Sequence, residues 1–461
     1  MCSARCCGYS FRVTQPASSA AILAIAIPAM ITNIASALFG LADMWAIGQL
    51  GDPAAQGAVE VGAKAFLTLL MVFNFLRTGT VALTAQAAGH DDESLQARIL
   101  MRTIALSLVI GIVLMAAAPL VIPYGLSLFN VPSDVMAPAQ DYVSIRYWSA
   151  LPWLLNAALT GWLVGRKCMR TVLVVEIAIN LLHIGLDLVT VLGLGWGARG
   201  VATATLASET ARMLVLGLFV FLQVPVRDLK ATVVARTTWD MRAITAVMKL
   251  NRDLFLRTLL LMAASVVMTR AGASQGSVIL ATNAILGELF MLSTWLLDGF
   301  ESAAQVLCAE ALGAGDKPRF RRLVIRIMVW ACGLAALISA AYWIEARPLA
   351  AAFSTSDEVV ASVETFIGWA AVMPLVGVIS FVFDGIFIGA GWTRGMLQSM
   401  ALSLAGFLVL LMLTHHRGNN GLWLSFSIFF LLRALVQFLL MPRLLRRNFR
   451  TVMAHVPGSM S

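Results

Sequence analysis

What most constrains this chain is the recurrence of apolar runs close to the ~20 residues that a helix needs to cross the hydrocarbon of a bilayer. They fall at 20–50, 59–89, 99–122, 142–165, 171–193 and 200–224, and again at 253–272, 278–313, 323–343, 359–391, 396–414 and 422–440. Inside lipid every backbone amide needs an internal partner, so such runs become helices. With 60% of 461 residues hydrophobic and 12% charged, no sizeable soluble domain fits between them. The expected fold is an all-α membrane protein with twelve transmembrane helices.

The basic residues set the orientation. Arg98 and Arg102, then Arg166, Lys167 and Arg170, then clusters within 227–252, 317–326 and 443–450, alternate with loops that carry Arg199, Arg270, Arg347 and Arg417. This is the positive-inside pattern. It puts both termini on the cytoplasmic side of the membrane and accounts for the net charge of +9 without a nucleic-acid partner. Membrane lipids are the expected partners, and no obligate protein partner is implied. The run starting near Ala20 is too long for a removable signal peptide. The six scattered cysteines lack metal-ligand spacing and read as free thiols.

The longest polar connector, 225–252, divides a first lobe at 20–224 from a second at 253–442, with tails at 1–19 and 443–461. The halves resemble one another. "LTAQAAGHDDESLQARILMR" at 83–102 aligns with "LCAEALGAGDKPRFRRLVIR" at 307–326, pairing Gly89 with Gly313, Asp92 with Asp316 and Arg102 with Arg326. At the same offset "GWLVG" at 161–165 meets "GIFIG" at 385–389. Spans two and four thus match eight and ten without reversal of topology, the sign of a parallel duplication about an axis along the membrane normal.

An ionised side chain near the bilayer centre costs roughly 3 kcal/mol on insertion scales, and such groups are rare and usually functional. Span one, "AIPAMITNIASALFGLADMWAIGQLG", holds Pro28, Asn33 and Asp43; span four holds Asn156. Span five, "NLLHIGLDLVTVLGLG", holds Asn180, His183 and Asp187, with Glu176 a turn earlier. The spacing i, i+3, i+7 puts these three on one helical stripe. At 1.5 Å per residue from Arg170, Asp187 lies about 25 Å along, in the outer half of the bilayer, where Asp43 also falls. Two carboxylates and an imidazole are therefore placed to share one polar pocket. In the second half Asp298 and Glu301 share a face of span eight, which also bears Glu288, and Asp384 lies on span ten; these suggest a second polar cavity. Lys64, Arg77, Arg146, Arg212 and Arg433 read as neutralising acids or snorkelling to headgroups.

Blander readings exist for single residues: Asp43 as a wetted interfacial acid, His183 as interhelical glue. The His–Asp pair also admits a membrane-embedded enzyme. No nucleophile motif, metal-ligand set or phosphate loop accompanies it, so an enzyme is not expected.

These motifs, together with "LTAQAAG", "NAALTGWLVG" and "GARGVATATLASE", resemble the multidrug and toxic compound extrusion family, and within it the DinF subfamily, over nearly the whole chain. The resemblance implies a transporter of two pseudo-twofold-related six-helix lobes that exports organic, often cationic, compounds against a proton or sodium gradient by alternating access. By position, Asp43 and Asp187 resemble the acids of the family's N-lobe cavity, and Asn156 and Thr205 its polar lining. Pro28 resembles its span-one hinge, and Asp384 a C-lobe acid. Where the family pattern has an asparagine, this chain has His183. An imidazole nitrogen suits Na+ poorly and titrates near neutrality, so the expected coupling ion is H+, with no other cofactor and no metal. The alternative within transporters is a flippase for lipid-linked sugars or peptidoglycan precursors, which needs a cationic cavity to meet pyrophosphate.

Overall fold

The computed structural model describes residues 18–127, 133–224, 232–354 and 356–454. The rest of the expected tails, 1–17 and 455–461, and the start of the connector, 225–231, lie outside the described residues. Among the described residues all regular structure is helical. The twelve apolar runs fall on α1 (Ser19–Gly48), α2 (Pro53–Gly89), α3 (Glu93–Ser127), α4 (133–165), α5 (Met169–Gly193) and α6 (Gly197–Gln223), then α7 (Met241–Ala273), α8 (Ser277–Gly313), α9 (Lys317–Ile344), α10 (Asp357–Gly389), α11 (Thr393–Thr414) and α12 (Gly418–Ala454).

By length and composition, ten stretches among the described residues qualify as membrane spans. The shortfall from twelve has physical causes. In α4 the apolar part, Ala150–Gly165, has 16 residues and is completed by the more polar Ser133–Arg146 through a tight turn at Tyr147–Ser149. Helices α11 and α12 count as one stretch because only His415–Arg417 and the left-handed Gly418 (φ 57°) separate them.

The chain forms two compact units. Of the described residues, unit 1 contains those within 31–88 and 92–248, and unit 2 those within 18–30, 89–91 and 249–454. The first turns of α1 join unit 2 because Gly299 on α8 lets that helix in: a Cβ there would lie 2.6 Å from the Ala26 carbonyl oxygen. The described part of the connector joins unit 1, where Arg102 donates from Nε to the Thr238 carbonyl (2.7 Å) and from Nη2 to that of Thr237 (2.9 Å). Arg443, Arg446 and Arg447, expected in a tail, continue α12. The expectation of free thiols holds at Cys308 and Cys332.

The internal repeat has a mechanical reading. Asp92 accepts the Leu95 amide (2.8 Å) before α3, and Asp316 accepts the Arg319 amide (2.8 Å) before α9, so the matched aspartates cap matched helices. The matched glycines bring backbones together. A Cβ on Gly161 would meet the Arg77 carbonyl oxygen at 2.6 Å, and one on Gly385 the Glu301 carbonyl oxygen at 2.3 Å. Thr190 donates to the Gly200 carbonyl, and Thr414 to that of Gly421, both at 3.1 Å.

Candidate functional site

Within unit 1, α1, α5 and α6 are cross-linked by a ladder of polar contacts. Near the start of α5, Glu176 accepts from the Ser36 hydroxyl (3.0 Å) and pairs with Arg212 of α6 (2.5 Å). One turn on, Asn180 donates to the Ala35 carbonyl (2.9 Å). The next turn carries His183, wholly buried, with Phe39 of α1 stacked on its ring at 3.6 Å between centroids. Asp187 follows, 1% exposed, and α5 then widens into a π-helical turn at Leu188–Gly193, a distortion common at functional sites.

The hydrogen bonds around His183 define where protons can sit. Ser208 gives its hydroxyl hydrogen to the Ala204 carbonyl at 2.7 Å. Its oxygen can therefore only accept from His183 Nδ1, 3.3 Å away, which makes Nδ1 the protonated nitrogen of the neutral ring. Nε2 then faces Asp43 Oδ1 at 2.7 Å, and a lone pair against a carboxylate at that distance requires a proton between them. Asp187 Oδ2 lies 3.1 Å from the same nitrogen, yet neither Asp187 oxygen makes a hydrogen bond. One proton on Nε2 cannot serve both acids. With one proton between imidazole and carboxylates the group carries a net negative charge; a second proton makes it neutral.

The donor atoms of Asp43, His183 and Asp187 all lie within 4.8 Å of one another. This is the one grouping of three acid, imidazole or thiol side chains that close among the described residues. The other expected residues make their contacts outside this group. Asn156 is buried on α4 and contacts α6 rather than the triad, through Glu209. Thr205 is buried and donates to its own helix at Val201 (2.8 Å). Asn33 is half-buried earlier on α1. Pro28 sits inside an unbroken helix and belongs to unit 2.

Unit 2 treats its acids differently. Asp384, expected to line a cavity, is fully enclosed, because Arg257, Arg433 and Gln437 all turn towards it. Arg257 contacts Oδ2 at 2.5 Å, Arg433 approaches the same oxygen, and Gln437 donates to Oδ1 at 2.7 Å. Asp298 and Glu301 are half-buried on α8 within the electrostatic reach of Arg257. Asp384 thus stands in an ion network formed by Arg257, Arg433 and Gln437. Glu288 is exposed, and Lys64 is an exposed helical partner of Glu60 at 2.7 Å.

The MatE family model matches residues 28–189 and 254–414, two stretches that follow the internal repeat. The chain belongs to the MatE family. It is 34% identical over 426 residues to "DNA damage-inducible protein F" of Escherichia coli K12, covering 91% of each chain, which also places it in the DinF subfamily. It is 25% identical over 427 residues to "Protein DETOXIFICATION 44, chloroplastic" of Arabidopsis thaliana, covering 89% of this chain and 80% of that one. Among solved structures it resembles an outward-facing multidrug resistance MATE family transporter of the MOP superfamily, with a TM-score of 0.83, 18% identity and coverage of 98% and 99%. This MatE protein is thus a multi-pass membrane transporter of two-lobe architecture.

Sequence reasoning found Asp43, His183 and Asp187 through their cost in lipid. It passed over Ser208, Phe39 and Glu209. A serine and a phenylalanine on apolar helices carry no signal of their own. Glu209 did, as an acid within an apolar span.

Proposed function

We propose that this MatE protein is a proton-coupled antiporter that exports organic, amphipathic cations from the cytoplasm of a bacterium by alternating access, with both termini on the cytoplasmic side of the inner membrane. The observation that carries the reading is the buried Asp43–His183–Asp187 group, where one imidazole nitrogen faces two carboxylates at 2.7 and 3.1 Å and no arginine among the described residues pairs with them. Such a group changes net charge by taking up one proton. With the site facing outwards, the second proton enters from the medium, cancels the negative charge that favours a cation, and substrate leaves. Facing inwards, proton loss restores the charge. Both ligands bias one two-state element, which is the thermodynamic content of coupling. Pro28 lacks the amide hydrogen that would complete its turn, which suits α1 to bending there.

A nitrogen ligand disfavours Na+ as the coupling ion. The flippase reading is not favoured, since the buried arginines of unit 1 are engaged elsewhere, Arg146 with Ser149 and the Phe66 ring and Arg166 with Gln96 and the Trp162 ring, and the half-buried Arg212 pairs with Glu176. The multidrug description of the structural neighbour and the names of the relatives support efflux. The test is uptake of a fluorescent cation into proteoliposomes under an imposed pH gradient, with and without a sodium gradient. Transport that follows the pH gradient alone is expected; transport driven only by sodium overturns proton coupling.

A further inference from the structure

Seven acids are buried among the described residues. Asp43 and Asp187 face His183, Glu176 faces Arg212, Asp253 faces Arg252, Glu310 faces Arg319, and Asp384 faces Arg257 and Arg433. Glu209, 8% exposed on α6, alone has no cationic partner among the described residues.

Its neighbour sharpens the point. The Asn156 amide nitrogen donates both to the Glu209 backbone carbonyl (3.0 Å) and to Glu209 Oε2 (2.8 Å). A backbone carbonyl can only accept, so this pair of contacts fixes which end of the amide is nitrogen. Asn156 Oδ1 therefore turns away, and it is buried without a hydrogen-bond partner in a side chain only 4% exposed. A carboxyl group met by this one amide, with no cation beside it among the described residues, stands next to an acceptor that has no donor.

The fold does not demand an acid there. Gly197 and Gly418 are both left-handed (φ 57° each) and begin α6 and α12. Counting from them pairs Gly200 with Gly421, Arg212 with Arg433, and Glu209 with Phe430. Phe430 packs its ring against Phe426, Phe290 and Phe381 at 5.3, 5.4 and 5.6 Å. The same place in the duplicated scaffold is filled by hydrocarbon in unit 2 and left charged in unit 1. A buried charge kept without a partner is costly unless a ligand supplies one.

We infer that Glu209, aided by Asn156, is the anchor for the positive charge of the transported compound, and that it selects protonated amines bearing N–H over quaternary ammonium ions. An N–H-bearing cation answers both needs: its charge meets the carboxylate and its hydrogens meet the open acceptors. A quaternary ion has no hydrogen for Asn156 Oδ1. Substrate and proton then occupy different acids. They are linked because Ser208, adjacent to Glu209, receives His183 Nδ1. This rests on the reading of the protein as a cation exporter and specifies where the cation sits.

The experiment is equilibrium binding to purified full-length protein in nanodiscs, without any gradient, of three matched fluorescent probes: dansylcadaverine, its N-acetyl derivative, and its trimethylammonium analogue. The wild type is expected to bind the amine roughly tenfold or more tightly than the acetylated probe, and more tightly than the quaternary one. Glu209→Gln should abolish the advantage of charge while leaving the acetylated probe bound as before, which also reports an intact fold. Asn156→Ala should erase the preference for the amine over the quaternary probe, and Glu209→Asp should retain a preference for charge. Wild-type affinity for the amine in Glu209→Gln, or a wild type that binds the amine and acetylated probes equally, overturns the proposal. Because no proton gradient is involved, a failure of proton coupling leaves this result readable.

Discussion

Where α5 of unit 1 carries His183 and Asp187, the matched turns of α11 in unit 2 carry Phe407 and Leu411; where α6 carries Thr205, Ser208 and Glu209, α12 carries Phe426, Phe429 and Phe430. In unit 2 these positions form an aromatic cluster, with Phe407 and Phe429 6.1 Å apart between ring centroids. The contrast extends to the charges. In unit 2 the Asp384 carboxylate is gripped by two arginines, whereas in unit 1 two carboxylates compete for one imidazole. One scaffold accepts either filling, so packing alone does not explain the polar interior of unit 1. The lesson is a contrast of partners: Asp384 of unit 2 is held by two arginines from other helices, while Asp43 and Asp187 of unit 1 have one imidazole between them.

The contrast breaks or survives first on a pair of isosteric substitutions. Asp384→Asn strips the partner from Arg257 and Arg433 and should destabilise the protein by roughly 3–5 kcal/mol, seen as lost expression and a lower Tm in detergent. Asp187→Asn removes a charge with no permanent partner; it should melt close to wild type yet show no proton-driven transport. If Asp384→Asn were stable and inactive and Asp187→Asn unfolded, the roles would be reversed.

The shared scaffold is sharpened by its glycines. Gly385→Ala and Gly161→Ala each drive a methyl into a backbone carbonyl, and each should cost about 1–3 kcal/mol in thermal unfolding. The effect should be larger at Gly385, where the approach is 2.3 Å against 2.6 Å. Equal and negligible losses would mean that the repeat is not held by these contacts.

The smallest expected effect is at the matched caps. Asp92→Ala and Asp316→Ala each remove an acceptor for a helix-start amide and should cost about 1 kcal/mol. Burial works to raise the pKa of Asp92, but the Ser94 hydroxyl, the Leu95 amide and Arg98 together hold it below the ordinary 3.8. A lowered folded value means that this contribution is complete above 3.8 and fades as pH falls through the lowered value. The stability gap between wild type and Asp92→Ala should therefore narrow in acid, as thermal melts across pH will register.

The twelve helices were legible in the sequence because lipid forces an apolar run to close its own hydrogen bonds. Asp43, His183 and Asp187 stood out for the complementary reason, their cost in lipid. The lock on Asp384 was not legible. Arg257, Asp384 and Arg433 come from three distant helices, and only the rotation of each helix decides that they meet. The same holds for Asn156 and Glu209, and for the first turns of α1, whose place in unit 2 depends on a bare glycine at 299.

The coupling itself is most directly read as proton release when a cation binds, followed with a pH indicator in weakly buffered solution on purified protein near neutral pH. Wild type is predicted to release protons as the cation binds, and Asp187→Asn, with the cation bound, to release none. Equal release from both proteins would contradict the assignment of the exchanging proton to Asp43, His183 and Asp187.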